Sequence, residues 1–527
     1  MKISKLWVLG IVMAALWLWL WGIFLPYVGL YSTNNNYLAL AVRNYLRFGL
    51  LHLNLLPTYY TGIGPVPESA FYLHHPILIY LTAIVPFVIF GFKNWVVHVM
   101  PFIFNLASLL MIYAVAKEMY HRKIAIFAIL LAAFFPMMTF FWKLIFFEPI
   151  TLFFDLTVFY FAIRYLKKSQ TKYLYLLAVC SFLAGLSDWP AIYWLFPFSF
   201  LLFTKYKIKA KYILLAYTIP LSVAFGLFFF SVYKILGNFS DLFLAGAGRA
   251  IHAEMTAVPF WWLKYPLNYL LRFIIYFTPL SIIYLILGAK SILTKRWRER
   301  TLTDLAMLML FIFGLTNTLI FPTASWGYSY FLYYFIPFLA ISGAKILNRI
   351  NSRKVHIAVF LFIILWSITV NYFKIAQWQK HAWKYAALQV FASKFEPHEI
   401  IGIADFPGDL IENYYLHPTQ ILSRNEIIAW FAGLKYPNIK KVIYACPGIC
   451  GVHDFELASE ASSASTVISF RNSQYAAWIF IKNNYQNNAS EPLPTSIVSE
   501  SGKIRSTDES VSNVYRLLIK FLDLGQL

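Results

Sequence analysis

Charged side chains are sparse in this sequence, so the few that flank apolar runs, with their polar neighbours, are where chemistry has to be sought. Glu148 heads one such run, and Asp188 sits in the turn Gly185-Leu186-Ser187-Asp188-Trp189-Pro190. His74 and His75 precede Pro76, Lys143 lies shortly before Glu148, and Glu68 stands upstream of the histidines. Asn34, Asn35 and Asn36 follow the first apolar run, Arg43 comes after them, and Tyr328 ends the segment from Pro322. A carboxylate or an imidazole can take the proton of a hydroxyl nucleophile. Arginine, lysine and histidine can hold a phosphate through charge-assisted hydrogen bonds. The set therefore fits group transfer on a phosphate-bearing substrate. Glu148, Asp188, Asn34 and Asn35 are the candidates at the reacting end. Arg43, His74, His75, Lys143, Trp189 and Tyr328 are the candidates for holding substrate. Each has a plainer reading: helix ends for Glu148 and Asp188, an interfacial pair for the histidines, a turn and helix cap for the asparagines, a headgroup contact for Arg43.

These residues meet only if the apolar runs between them bring them to one face. The chain has 527 residues, 60% hydrophobic and 13% charged, with a mean hydropathy of +0.63. A soluble chain is about half apolar and a quarter charged, which excludes a water-soluble enzyme, a disordered protein and a fibrous repeat. The 36 Tyr and 17 Trp suit membrane interfaces, where an amphipathic ring is at home. Apolar runs of spanning length fall at about 6–28, 95–117, 124–143, 148–166, 172–187, 189–204, 212–233, 267–289, 304–321, 328–344 and 355–373. The net charge of +21 invites a nucleic-acid reading, but the Lys and Arg residues cluster between runs, as orientation signals do. No nucleic-acid partner is assigned.

The clusters at Lys2/Lys5, 117–123, 164–172, 205–211, 290–300 and 345–354 fall on one side if the ambiguous segment 76–91 does not cross. That segment is therefore expected to be an interfacial or re-entrant helix. About 11 spans result, with the N-terminus cytoplasmic and the C-terminus outside, and every candidate residue above lies on the outer face. The first outer loop, 29–94, contains an expected amphipathic helix at 36–48.

The tail changes composition. Residues 400–404, 420–423 and 441–445 read as strands, 407–415 and 425–433 as helices, and 455–475 as a loop or weak helix. The expected architecture is an all-α polytopic membrane bundle, residues 1–373, with juxtamembrane helices in its first outer loop, followed by a small α/β soluble domain, residues 374–527. Three cysteines make no disulfide scaffold; Cys446 and Cys450 can pair in an oxidising compartment. Asn238-Phe239-Ser240 and Asn488-Ala489-Ser490 match the N-glycosylation triplet.

At these residues the chain resembles the GT-C superfamily of lipid-dependent glycosyltransferases. Within it, the chain is most similar to the protein O-mannosyltransferase and lipid A aminoarabinose transferase group with its RgtA/B/C/D-like domain. Ala41-Val42-Arg43-Asn44-Tyr45-Leu46-Arg47-Phe48-Gly49 is similar to the family's Ala-Arg-Asn-x-x-x-x-Gly helix. Tyr72-Leu73-His74-His75-Pro76 resembles its His-Pro-Pro lead-in to a juxtamembrane helix, and Phe90-Gly91 the Phe-Gly that closes it. Pro136 and Glu148-Pro149 resemble the proline and acidic residue that flank the second outer loop. Gly185 to Pro190 resembles a Gly-x-x-Asp-Trp turn, and Tyr328 with 330–337 a Tyr-rich span ending in Pro. The likeness covers about residues 6–345. It implies a polyprenyl-phosphate-linked sugar as donor, an outward-facing site in a prokaryotic plasma membrane, and inversion by direct displacement. Membrane lipid, the lipid-linked donor and an acceptor of unspecified kind are the implied partners. Metal use varies across the superfamily, so no metal ligand is assigned and a divalent metal stays open. The sequence departs from the family at the first-loop Asp-Glu, whose Asp is the catalytic base: here the pair is Asn34-Asn35, and an amide cannot take up a proton as a carboxylate does. Glu148, Asp188, His75 and Glu68 are the alternatives for the base.

Three rival functions remain on the sequence alone. A secondary transporter usually shows internal repeats and midplane polar groups, and neither is visible. A polysaccharide polymerase or ligase is expected to carry its long outer loop late in the bundle, whereas here it is the first. A catalytically inactive lipid-binding relative is kept open by Asn34-Asn35.

Overall fold

The structure, a computed structural model, describes residues 5–24, 32–60, 65–144, 147–250 and 260–379, and five strands between 401 and 482. The described residues up to 379 belong to one compact unit and the strands to another.

The first unit is helical: α1 Lys5–Leu20, α2 Ser32–Phe48, α3 Leu78–Phe90, α4 Val99–Met119, α5 Arg122–Phe134, α6 Pro136–Phe140, α7 Phe147–Lys168, α8 Lys172–Ser187, α9 Leu195–Thr204, α10 Lys207–Leu236, α11 Ser240–Ala250, α12 Trp261–Phe277, α13 Leu280–Leu293, α14 Leu302–Ile320, α15 Pro322–Gly327, α16 Ile336–Arg349 and α17 Arg353–Gln379. Among the described residues, six helical stretches are long and apolar enough to cross a membrane, or eight if each of two bent pairs counts as one span. This is an integral membrane bundle.

Two expected spans are broken, and proline explains both. The run 124–143 bends by 60° between α5 and α6: Phe135, before Pro136, is extended at φ −63°, ψ 130°, as a residue ahead of a proline prefers. The run 267–289 is not one straight helix either. It bends by 112° between α12 and α13, where Thr278, before Pro279, takes φ +87°. Two further runs, 172–187 and 189–204, are shorter apolar helices. Segment 76–91 forms α3, whose 13 residues reach about 20 Å at 1.5 Å each, too short to cross alone. Its outer face is apolar: Val85, Val88, Ile89 and Phe90 are exposed. Helix α2 begins at Ser32, ahead of the expected 36, and is more buried than a surface amphipathic helix: Leu38 to Val42, Asn44 and Tyr45 are all covered.

The basic clusters meet at one end of the bundle. Arg164 and Lys167 of α7 pair with Glu118 of α4 at 2.7 and 3.3 Å. Lys209 Nζ donates to Leu166 O, 3.1 Å, Thr303 Oγ1 to Met119 O, 3.1 Å, and Lys345 lies 5.1 Å from the Tyr120 ring centre. Helix α7 arrives at this end from Glu148, and α8 leaves it for Asp188, so both carboxylates lie at the opposite end. Helices α8 and α10 approach closely at Gly185, where a Cβ would stand 2.8 Å from Ala224 Cβ; small residues at such crossings let helices pack in a membrane.

In the second unit the strands are β1 Ile401–Ala404, β2 Thr419–Ile421, β3 Lys441–Cys446, β4 Ser465–Arg471 and β5 Ala476–Lys482. They form one sheet in the order β2-β1-β3-β5-β4. Strands β2, β1 and β3 are parallel, and β5 joins β3 antiparallel, with Ile443 opposite Ile479. β4 and β5 form an antiparallel pair. The expectation of a loop or weak helix over 455–475 is corrected by β4: Thr466, Val467, Ile468 and Phe470 are β-branched or aromatic and pair with the equally apolar β5. Cys450, Asn488 and the two expected tail helices lie outside the described residues.

Candidate active site

At the end of the bundle opposite the basic clusters lies a cavity of about 360 Å³, walled by Asn34, Tyr37, Tyr59, Tyr72, His75, Phe147, Glu148, Asp188, Trp189, Tyr193, Arg249, Asn317, Tyr328, Tyr330 and Tyr334, among others. Its residues come from elements far apart in the chain, and local chemistry fixes each.

The loop between α2 and α3 is pinned by an isolated bridge between Thr58 and Phe71. That sets Tyr59 and Tyr72 side by side, 5.0 Å between ring centres, and Tyr59 stacks on Tyr37 of α2 at 4.2 Å. The Tyr59 and Tyr80 hydroxyls are 2.8 Å apart. Burial holds the Tyr59 and Tyr72 phenols well above their ordinary pKa, so both stay protonated hydrogen-bond donors.

His75 follows on this loop. Its imidazole stacks on Phe147 at 4.3 Å and on Tyr72 at 5.6 Å, and its Nδ1 lies 2.6 Å from Asp188 Oδ1. Asp188 caps the short 3₁₀ helix Trp189–Trp194, and the same Oδ1 accepts from Trp189 N at 2.7 Å. Trp189 Nε1 donates to His74 O, 2.6 Å, which closes a small network between the loop and the end of α8. His74 turns to Arg249, whose Nη2 is 3.4 Å from His74 Nδ1. Burial first, then the charge of Arg249 and the neighbouring His75, bring His74 down to about 4, so it is neutral at pH 7 and can accept from the guanidinium.

Glu148, in the first turn of α7, lines the cavity beside this network. Asn317 is fixed by donation from Nδ2 to Phe331 O, 2.8 Å, and Tyr328 and Tyr330 stack at 5.3 Å.

Of the residues singled out from the sequence, Glu148, Asp188, Asn34, His75, Trp189 and Tyr328 share the cavity wall. His74 stands behind it, against Arg249. Others are placed elsewhere. Asn35 is buried and donates to Lys143 O, 2.9 Å. Lys143 is buried too, its ammonium donating to Leu18 O at 3.2 Å and Thr139 O at 2.6 Å; these contacts tie α1 to the end of α6. Arg43 donates to Tyr60 O, 3.0 Å, and burial with Arg47 nearby lowers it to about 10; it holds the loop rather than lining the cavity. Glu68 is exposed in a short 3₁₀ turn. Asn34 itself donates to Leu144 O, 3.1 Å.

The sequence reading missed Arg249. It is, among the described residues, the one lysine or arginine on the cavity wall. A signal existed: a lone arginine in Gly246-Ala247-Gly248-Arg249-Ala250, within a loop read as outer, departs from the one-sided pattern of the basic clusters. Tyr37, Tyr59, Tyr72 and Asn317 were also missed. Among the described residues, no three His, Cys, Asp or Glu side chains are gathered as a metal centre requires.

Residues 74–230 match the dolichyl-phosphate-mannose-protein mannosyltransferase family. The fold is similar to that of ArnT from Cupriavidus metallidurans bound to undecaprenyl phosphate, with a TM-score of 0.64 and 13% identity over 90% of this chain and 98% of ArnT. The apo state of the same protein gives 0.63 at 13% identity, over 90% and 97%. The apo oligosaccharyltransferase of Archaeoglobus fulgidus gives 0.49 at 13% identity, over 84% of this chain and 70% of that one. No curated protein matches. The chain therefore has a fold similar to that of ArnT, and the segment that carries His75, Glu148 and Asp188 is similar to the dolichyl-phosphate-mannose-protein mannosyltransferases.

Proposed function

We propose that this protein is a membrane glycosyltransferase that moves a sugar from a polyprenyl-phosphate donor to an acceptor hydroxyl at the outer membrane face. The observation that carries the reading is the make-up of the cavity: one guanidinium, an Asp–His pair and a second carboxylate within walls of tyrosine and tryptophan. Its volume of about 360 Å³ falls in the range of small-molecule sites, about 300–1,000 Å³. Arg249 is the group suited to a phosphate, since a guanidinium offers a planar fork of donors. The Glu148 carboxylate suits the hydroxyls of a sugar, which donate to it. The cavity lies opposite the basic clusters, and the cytoplasmic side carries the Lys/Arg excess, so the reading puts the cavity outside and the N-terminus inside. ArnT, which shares the fold, binds undecaprenyl phosphate, and that supports a lipid-phosphate carrier here.

In this mechanism the anomeric C–O bond to phosphate breaks as the acceptor oxygen attacks. The electron pair goes to the phosphate oxygen, and Arg249 stabilises that developing charge. The test is donor turnover. Purified protein is incubated with a panel of polyprenyl-phosphate sugars, and released polyprenyl phosphate is followed by mass spectrometry. Wild type should release it from at least one donor. Arg249→Ala should lose about 10- to 150-fold in kcat/KM, the equivalent of about 1.5–3 kcal/mol for a hydrogen bond to a charged group. No release by wild type from any donor, across lipid, sugar and peptide acceptors, refutes the reading.

A further inference from the structure

The position at which the resembling family carries its base holds Asn34, which donates to a backbone carbonyl. Asn34 lines the cavity but has no carboxylate with which to take a proton. Another group on the wall has to do so if a hydroxyl is to attack.

We infer that the His75–Asp188 pair is this base: Asp188 holds the imidazole, and His75 Nε2 takes the proton of the acceptor hydroxyl. The inference rests on the glycosyltransferase reading above. Three observations carry it. Asp188 Oδ1 accepts from the Trp189 amide at 2.7 Å while it meets His75 Nδ1 at 2.6 Å. An oxygen that accepts the backbone N–H can accept from Nδ1–H as well, and in that pairing the imidazole proton sits on Nδ1 and the lone pair on Nε2. Second, the ring is stacked on Phe147 and Tyr72, which holds its plane without using a nitrogen. Third, the His75 side chain is 17% exposed against 7% for Asp188. Both line the cavity, and more of the imidazole than of the carboxylate is open to it. A carboxylate that fixes the tautomer of a histidine and stabilises its cation is a recurring device in hydroxyl activation.

The groups facing His75 are Asp188 after α8, Glu148 on α7, Tyr72 and His74 on its own loop, and Arg249 on α11. Asp188, in contact with the ring at 2.6 Å, is the group among these that stabilises the imidazolium that forms as the proton arrives. The atoms balance. The acceptor O–H proton goes to Nε2, the acceptor oxygen bonds to the anomeric carbon, and the carbon–phosphate-oxygen bond breaks with its electron pair on the phosphate. The proton then leaves Nε2 for water. His75 is a catalytic residue in this scheme, and Asp188 is a positioning residue.

The experiment is a pH profile of kcat for polyprenyl-phosphate release, run on the full chain with wild type, His75→Gln, His75→Ala, Asp188→Asn and Glu148→Gln. The inference expects His75→Gln to lose about 10²- to 10⁴-fold in kcat, with donor KM changed less than about threefold and the acidic limb gone. Added imidazole should restore part of the rate of His75→Ala. Asp188→Asn should move the acidic limb to lower pH, since the anion that stabilises the imidazolium is lost; a residue that only supports the fold would not move it. If His75→Gln does not fold, the Asp188→Asn limb decides. Retained kcat with an unmoved limb in the His75 and Asp188 variants overturns the pair alone. Loss of the limb in Glu148→Gln only assigns the base to Glu148 and also overturns it. Absence of turnover by wild type overturns the pair together with the glycosyltransferase reading.

Discussion

Gly185→Ala is a one-methyl test of how the bundle places the site. The new Cβ on α8 would stand 2.8 Å from Ala224 Cβ and 3.0 Å from Leu221 Cδ1 of α10. Carbon atoms rest at about 3.5–4.0 Å, so the two helices must part by about 1 Å, because Ala224 has no flexible end to turn aside. Overpacking of this kind costs about 1–3 kcal/mol. The displacement reaches Asp188, which follows the last residue of α8. Its 2.6 Å contact with His75 would open to about 3.6 Å, which is no longer a hydrogen bond. A misplacement of about 1 Å in a catalytic constellation can remove about 100-fold in rate. The assay is paired: denaturation in detergent for stability, and polyprenyl-phosphate release for kcat. Gly185→Ala should lose in both. Ala224→Gly, which removes the opposing methyl, should restore both in the double variant, with a coupling above about 0.5 kcal/mol. A Gly185→Ala protein of wild-type stability and rate would refute the reasoning, as would a double variant no better than the single.

Three further outcomes are expected. Lys143→Met should lower stability by about 1–3 kcal/mol, since the carbonyls of Leu18 and Thr139 lose their donor, while donor KM stays within about twofold; a tenfold rise in KM would return Lys143 to the site. Asn34→Asp should lower the release rate rather than raise it, because a carboxylate cannot donate to Leu144 O; a faster Asn34→Asp enzyme would count against the histidine pair. His74, lowered from 6.5 to about 4, should make the fold less stable on acidification. The unfolded chain takes up this proton below about 6.5 and the folded chain only near 4, so the contribution is full above 6.5 and lost as pH falls through that window. At pH 5 the loss is at most about 2 kcal/mol, and solvent screening of this partly exposed ring reduces it; the difference between unfolding at pH 7 and pH 5 should shrink in His74→Asn.

The spans were legible because hydropathy over about 20 residues is a strong signal, and the proline breaks were legible only in part. Pro136 and Pro279 are visible in the sequence, but whether a proline kinks a helix gently or turns the chain by 60° or 112° depends on what packs against the freed backbone. Strands β4 and β5 were hidden for a different reason. Their neighbours are rich in Ser and Ala, and the pairing that stabilises them lies across the sheet, from Ser465 opposite Lys482 to Arg471 opposite Ala476. Propensity alone carries none of that information. Among the candidate site residues, charge type was readable and destination was not. Lys143 and Arg43 were singled out as phosphate ligands because they are cations near the outer face. Their ammonium and guanidinium instead donate to backbone carbonyls within the fold.

The same ambiguity runs through the aromatic residues, and it bears on how the cavity works. Apart from Tyr328, a substrate candidate from the sequence, the 36 tyrosines are expected in interface belts, the ordinary place for an amphipathic ring. Tyr37, Tyr59, Tyr72, Tyr328, Tyr330 and Tyr334 converge on the cavity instead, and nothing in residue type separates a belt from a wall. The physical requirement is shared: one end apolar, the other able to hydrogen-bond. Under the proposed function, that requirement serves a substrate with a sugar at one end and an isoprenoid at the other. A tyrosine wall has few rotamers to freeze and offers phenol donors to hydroxyls and phosphate. Burial holds the phenols of Tyr59 and Tyr72 protonated, so they remain donors, and the proposed mechanism gives the proton-accepting step to the imidazole beside Asp188. In the proposed mechanism a cavity with, among the described residues, a single guanidinium, walled by phenols, separates holding the phosphate from taking the proton, and that separation lets His75 act as a base close to Arg249 without pairing to the leaving group.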